Sequence, residues 1–189
     1  MYEIERKFLT DWSVDKILDY YREPKDRWTI QEVAIEQLYF RDTGSWAMRV
    51  RQKTWNFAHE YILTIKKPVS ETKNIEIEAP IPQEEYEEII RLESKNLITK
   101  FRYEIMEITP ATDWLAALDS PIWFIDIFEN PEFGGLVMLE VEMAREDYPL
   151  ELPPFVGREV TSEPRYRNYN LFNQINPNRR PIDDREAGS

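Results

Sequence analysis

One pattern recurs along this 189-residue chain and limits what it can fold into: short runs in which every second residue is charged and the residues between are apolar. The first is YEIERKFL, with Glu3, Glu5 and Lys7 on one side of the alternation. The stretch IEQLYFR offers Gln37, Tyr39 and Arg41, AMRVRQK offers Arg49, Arg51 and Lys53, and YILTIKK offers Thr64 and Lys66. Then follow NIEIEA with Glu76 and Glu78, ITKFRYE with Lys100, Arg102 and Glu104, WFIDIFE with Asp126, and VMLEVEM with Glu140 and Glu142. A period of two is the period of a β-strand, whose successive side chains point to opposite faces. The alternation predicts strands over about 2–9, 34–41, 46–53, 60–67, 74–80, 99–108, 121–129 and 136–143. Helix signals are fewer. They cover Ser13 to Tyr21, with Asp11 and Ser13 as candidate caps, Gln83 to Leu92 after Pro82, and a short piece from Asp113 to Leu118. Eight strands and few helices predict an α+β chain that is mainly antiparallel β.

A half-exposed antiparallel sheet alternates in this way with no function attached. Two features speak for a functional face instead. Glu-x-Glu occurs three times on the apolar strands, and residues two apart on a strand lie about 6.5–7 Å from each other on one face, so each pair is a like-charge repulsion kept in place. The charges are also segregated by strand, acids on some and bases on others. Grouped carboxylates ionise together beside a cation, and hard oxygen ligands suit Mg²⁺ or Mn²⁺. Grouped Arg and Lys suit phosphate, Arg through its planar fork and Lys as a point charge. Both readings, a solvated face and a charged functional surface or barrel interior, stay open on these grounds.

Composition narrows the rest. A hydrophobic content of 42% with 13% aromatic residues predicts one folded domain. The absence of cysteine removes disulfides, thiolate nucleophiles and zinc–thiolate sites. A single histidine, His59, excludes His-based triads and is expected at the surface or in a structural role. The formal charge of −12 argues against nonspecific nucleic-acid binding. No run approaches the roughly 18 apolar residues of a membrane span, and the charged N-terminus lacks a signal-peptide core, so a cytoplasmic protein is expected. Trp46 and Trp55 flank the Arg pair and are expected mainly as sheet-covering core. The acidic run Glu84-Glu85-Tyr86-Glu87-Glu88 reads as a solvated helix face.

Taken in order, these motifs resemble a known family. YEIERKFL is similar to the ExExK signature that opens the CYTH domain of the triphosphate tunnel metalloenzymes. The series continues through Gln37-x-Tyr39, Arg49-x-Arg51, the LTIK ending at Lys66, Glu76-x-Glu78, Lys100-x-Arg102, the IDIF around Asp126, Glu140-x-Glu142 and a closing VTSEPRYRNYNL. The resemblance covers about residues 1–172 and leaves 173–189 as a polar, flexible tail. It implies an eight-stranded closed antiparallel β-barrel with flanking helices, its interior a tunnel lined by acids and bases. It also implies a metal-dependent phosphohydrolase acting on a small-molecule triphosphate, inorganic triphosphate first, in a monomer or homodimer. An adenylate cyclase, a thiamine or nucleoside triphosphatase, and a non-catalytic polyphosphate-binding module are the alternatives. By position, Glu3, Glu5, Glu140, Glu142 and Asp126 match the acids that bind Mg²⁺ or Mn²⁺. Lys7, Arg49, Arg51, Lys66, Lys100, Arg102 and Arg165 match the phosphate-binding bases, with Arg165 expected at the tunnel mouth. Glu76, Glu78 and Lys100 are the candidates for the chemical step, Glu78 by orienting the attacking water. Asn74 departs from the pattern, standing where the family commonly carries a base.

Overall fold

A computed structural model describes residues 2–23, 27–42, 46–108 and 120–177. Eight strands form a closed barrel: β1 (Tyr2–Leu9), β2 (Trp28–Asp42), β3 (Ala47–Trp55), β4 (Ala58–Pro68), β5 (Lys73–Pro80), β6 (Ile98–Glu107), β7 (Ile122–Phe128) and β8 (Val137–Glu142). Around the barrel the order is β1-β5-β4-β3-β2-β6-β7-β8, and each pairing is antiparallel. Closure leaves no free sheet edge to cap. Three helices are described: α1 (Val14–Arg22), α2 (Gln83–Glu93) and α3 (Asn168–Ile175). None is long and apolar enough to cross a membrane.

The eight expected strands are all present, with ends shifted by a residue or two except in β2. That strand begins six residues earlier than the alternation indicated, because Gln31-Glu32 interrupts the run of apolar residues while the backbone pairing with β6 continues from Trp28. The α1 start is set by Ser13, whose hydroxyl accepts from the Lys16 N–H. Helix α3 was not expected. Its first residue follows Arg167, which gives no side-chain cap, and only Leu171, Phe172 and Ile175 are buried. The tail expected from 173 thus starts inside a helix, and Ile175 is 5% exposed. The expected helix at Asp113–Leu118 and the tail from residue 178 lie outside the described residues.

The charged faces point inward. Lys100, Arg102, Asp126, Glu140, Glu5 and Lys7 are all buried, while the alternate positions on the same strands build apolar clusters on the outside. One cluster packs Ile4, Phe8, Ile105, Trp123, Ile125, Leu139 and Val141 beneath Ile17, Leu18 and Tyr21 of α1 and the loop residue Phe155. The other joins Leu38 and Val50 to Tyr86 of α2 and to Leu171, Phe172 and Ile175 of α3. This cluster also includes Tyr39, Phe128 and Met138, which share the register of the interior residues, so α3 closes that end of the barrel. Tyr39 packs edge-on against Tyr169 at 5.6 Å between ring centroids.

The seam between β1 and β5 is short, pairing Tyr2, Glu3 and Ile4 with Ile75, Asn74 and Lys73. Beyond it the segment 157–160 lies along β1, with the Gly157 N–H donating to the Leu9 carbonyl at 2.9 Å and the Val160 N–H to the Lys7 carbonyl at 2.8 Å. A Cβ at Gly157 would stand 2.8 Å from that Leu9 oxygen, so the close approach requires glycine.

Candidate functional site

The interior is built from polar and charged cross-strand neighbours, most of them opposite in sign. Glu5 of β1 faces Glu142 of β8, and Lys7 faces Glu140. Arg102 of β6 faces Asp126 of β7, Thr64 of β4 faces Glu78 of β5, and Lys66 faces Glu76. The side chains close onto one another as ion pairs. Asp126 is fully buried and accepts from Arg102 through both oxygens, at 2.7 and 2.8 Å, and from Lys100 at 2.5 Å. Arg102 also reaches Glu140 at 2.7 Å, and Lys7 bridges Glu140 at 2.5 Å and Glu5 at 3.1 Å. Lys66 sits among three acids, in contact with Glu3, 3.1 Å from Glu5 and 3.4 Å from Glu76. Arg51 donates to Glu78 at 2.7 Å, and Arg49 lies 3.6 Å from Glu76.

A cavity of about 660 Å³ is lined by Glu3, Glu5, Arg49, Arg51, Lys66, Glu76, Glu78, Lys100, Arg102, Glu140 and Glu142. These expected residues therefore converge on one place. Lys7 opens instead onto a smaller cavity of about 110 Å³ at the α3 end, which shares Glu5, Arg49, Lys66 and Asn168 with the larger one. Two expectations are corrected in placement. Asp126 lies behind the wall, its carboxylate occupied by Lys100 and Arg102, so it acts as their counter-ion and does not line the cavity. Arg165 points away into solvent, paired with Glu163 at 3.0 Å and stacked over Tyr166, because a short 3-10 turn at Pro164–Tyr166 turns it outward.

The lining also includes residues left off the expected set. Lys53 and Glu104 extend the Arg49-x-Arg51 and Lys100-x-Arg102 faces by one more step of two, and stand 3.9 Å apart. Thr64, two before Lys66, is fully buried beside this lining and supports it by donating to Glu78 at 3.0 Å. The strand period alone would have found all three. Asn74 donates to Glu3 and Glu5, each at 3.4 Å. Arg167, Asn168 and Tyr169 of the α3 end had no such signal, since they do not lie on a strand. His59 is exposed and hydrogen-bonded within the β3–β4 hairpin, away from this lining.

The electrostatics divide the acids in two groups. Burial raises the Glu140 carboxyl, but Lys7, Arg102 and Lys100 outweigh it and hold the group well below the usual range. Burial is likewise overcome at Glu5 by Lys66 and Lys7, and at Glu76 by Arg49 and Lys66, which bring Glu76 to about 2. At Glu3 burial wins, reinforced by Glu5 and opposed by Lys66, and the carboxyl is pushed up to about 8. Burial also raises Glu142 against the pull of Arg102, with Glu5 and Glu140 adding to the rise. Among the bases, burial and Arg102 press Lys100 down to about 8, and burial and Arg49 press Arg51 to about 10. The Nε atoms of Arg49 and Arg51 and the amide nitrogen of Gln37 are buried with no protein acceptor. Buried donors normally find a partner; of these three residues, Arg49 and Arg51 line the main cavity and Gln37 does not.

Comparison with known proteins agrees with this architecture. The family model for the CYTH domain matches residues 1–121. An inorganic triphosphatase of Acetivibrio thermocellus is 31% identical over 170 residues, spanning 89% of this chain and 92% of that protein. The crystal structure of another inorganic triphosphatase superposes with a TM-score of 0.54 at 25% identity, covering 90% of this chain and 93% of the other. A protein of Pyrococcus horikoshii, 22% identical over 77% of this chain and 80% of its own, shares the fold with a TM-score of 0.52.

Proposed function

The chain belongs to the CYTH domain family, and on that premise we propose that it hydrolyses inorganic triphosphate to pyrophosphate and orthophosphate with the help of Mg²⁺ or Mn²⁺. The observation that carries the proposal is the convergence of six bases and seven carboxylates on one cavity of about 660 Å³. A site for anion capture alone would gain nothing from the acids. The A. thermocellus inorganic triphosphatase, similar over most of both chains, supports the choice of substrate. The substrate is then a small molecule, and the expected setting is the cytoplasm.

The donor set fits a hard divalent cation. Glu142 has no ion pair among the described residues, faces Glu5 across the β1–β8 pairing, and is raised together with Glu3 by burial and like charge. Among the described residues no three acids stand ready to hold an ion by themselves. Mg²⁺ needs no such cage, since it is commonly held by one or two carboxylates, waters and substrate phosphates. Glu3, Glu5, Glu140 and Glu142 are the residues that would hold it. The bound ion supplies neutralisation of charge on the transferring phosphoryl group.

The chain's own groups do the rest. Arg49 and Arg51 offer unpartnered Nε–H donors to the phosphate oxygens, and Lys66, Lys100 and Arg102 add positive charge along the same wall. Asp126 keeps Lys100 and Arg102 in place. Glu78, half-exposed at the cavity and aimed by Arg51 and Thr64, orients the water that attacks the terminal phosphorus in line. No protein nucleophile is needed. A second reading, hydrolysis of an organic triphosphate, rests on the exposed apolar residues Tyr2, Ile77 and Met106 that line the same cavity. Phosphate release from tripolyphosphate, ATP and thiamine triphosphate, with and without a chelator, tests both. The proposal expects fast, chelator-sensitive release from tripolyphosphate, slow release from ATP and no cyclic AMP. Fast release from an organic triphosphate favours the second reading, and binding without turnover overturns both.

A further inference from the structure

The small cavity at the α3 end differs from the main one in how its cations are used. In the main cavity each base has a carboxylate partner. Arg167 lines the small cavity half-buried, and its guanidinium has no ion pair or hydrogen bond among the described residues. A partly desolvated cation without a counter-ion is a place for an anion. The Nε–H of Arg49, which lines both cavities, is buried without an acceptor. Beside these donors stands an acceptor: the side-chain oxygen of Asn168, at the junction of the two cavities, is buried with no donor.

We propose that this cavity binds a monophosphate anion, the orthophosphate released by the reaction, with Arg167 as its principal ligand. The inference rests on the hydrolytic reading for the identity of its ligand. Size sets the class: organic ligands occupy pockets of about 300 Å³ or more, and about 110 Å³ suits a small inorganic ion. Hydrogen-bond chemistry then selects within that class. Orthophosphate near neutral pH keeps at least one P–OH, so it accepts from Arg167 and Arg49 and donates to the Asn168 oxygen. An inner phosphoryl group of a polyphosphate carries no such proton. Lys7 and Lys66 add positive charge, against Glu5 and Glu71 in the same lining. The cavity's position behind the main one gives the product a place to stand while pyrophosphate leaves by the open end.

The test is direct titration of inorganic phosphate, followed by calorimetry and phosphorus NMR, into the wild-type chain and into Arg167→Gln, Arg167→Lys and Arg51→Gln. Arg51 lines only the main cavity. Orthophosphate should bind the wild type, at least tenfold more weakly to Arg167→Gln, with partial recovery in Arg167→Lys and little change in Arg51→Gln. Equal binding to wild type and Arg167→Gln, or loss in Arg51→Gln instead, overturns the assignment. Melting curves of each variant separate lost binding from lost fold. A wild type that binds orthophosphate through Arg167 yet releases none from any triphosphate would sink the hydrolytic reading while leaving the site standing.

Discussion

Asp126→Asn isolates what the wall behind the cavity does. The side chain is fully buried, and its two oxygens accept from Arg102 Nε, Arg102 Nη2 and Lys100 Nζ. The substitution keeps the volume and removes the charge. Breaking a buried ion pair by deleting one partner typically costs about 3–5 kcal/mol. Arg102 keeps Glu140 at 2.7 Å, which places the expected loss near the lower end, about 3 kcal/mol. For a chain of this size that corresponds to a fall in melting temperature of roughly 6–12 °C. Lys100 carries the pH dependence. Burial and Arg102 already hold its ammonium at about 8, with Asp126 pulling it up. Without Asp126 it falls further, and a larger share of the amine is neutral in the folded state at pH 7. Above the unfolded lysine pKa, about 10.4, Lys100 is neutral in both states, so its share of the deficit shrinks as pH rises from 7 towards 10. Urea unfolding of wild type and variant at pH 7 and 9.5 measures both effects. A loss under about 1 kcal/mol at pH 7 would refute the view that Asp126 anchors the two bases.

Glu3→Gln should stabilise the metal-free protein at pH 8 and have no such effect at pH 4. The folded carboxyl is raised to about 8, so between the unfolded value near 4.3 and 8 the folded state binds the extra proton and wild-type stability falls as pH rises. A variant whose melting temperature tracks the wild type across that window would show that Glu3 ionises normally. Glu76 works the other way: held at about 2, it contributes stability above the unfolded pKa that is lost as pH falls through 2, so Glu76→Gln should reduce stability at pH 7 and converge on the wild type in strong acid. Arg51→Ala removes charged hydrogen bonds worth about 1.5–3 kcal/mol, and should raise KM for tripolyphosphate roughly 10- to 100-fold; unaltered KM and kcat would take Arg51 out of the substrate's path.

Much of the barrel was legible because a strand repeats every two residues and a closed barrel gives each strand one interior face. The run Arg49-x-Arg51-x-Lys53 illustrates this: its three side chains fall on one cavity as their spacing requires. The period does not say which face is inside. A charged interior became readable only through the order of the motifs, and in the structure it holds because each main-cavity base sits against an acid while α1, α2 and Phe155 cover the apolar side. Where the chain leaves the strands the reasoning fails. Helix α3 begins without a capping side chain and offers three buried apolar residues in eight. The 3-10 turn before it sends Arg165 outward and leaves Arg167, two residues on, at the small cavity. Asp126 shows a different limit. Its register points it inward, yet the long side chains of Lys100 and Arg102 enclose it and keep it from the cavity surface.

Hydrolysis of tripolyphosphate in ¹⁸O-labelled water with Mg²⁺ tests the central claim most directly, since it reports both the substrate and the bond that breaks. Water placed by Glu78 against the terminal phosphorus puts one labelled oxygen into orthophosphate and none into pyrophosphate. Label in the pyrophosphate, or no labelled product from tripolyphosphate at all, would contradict the account.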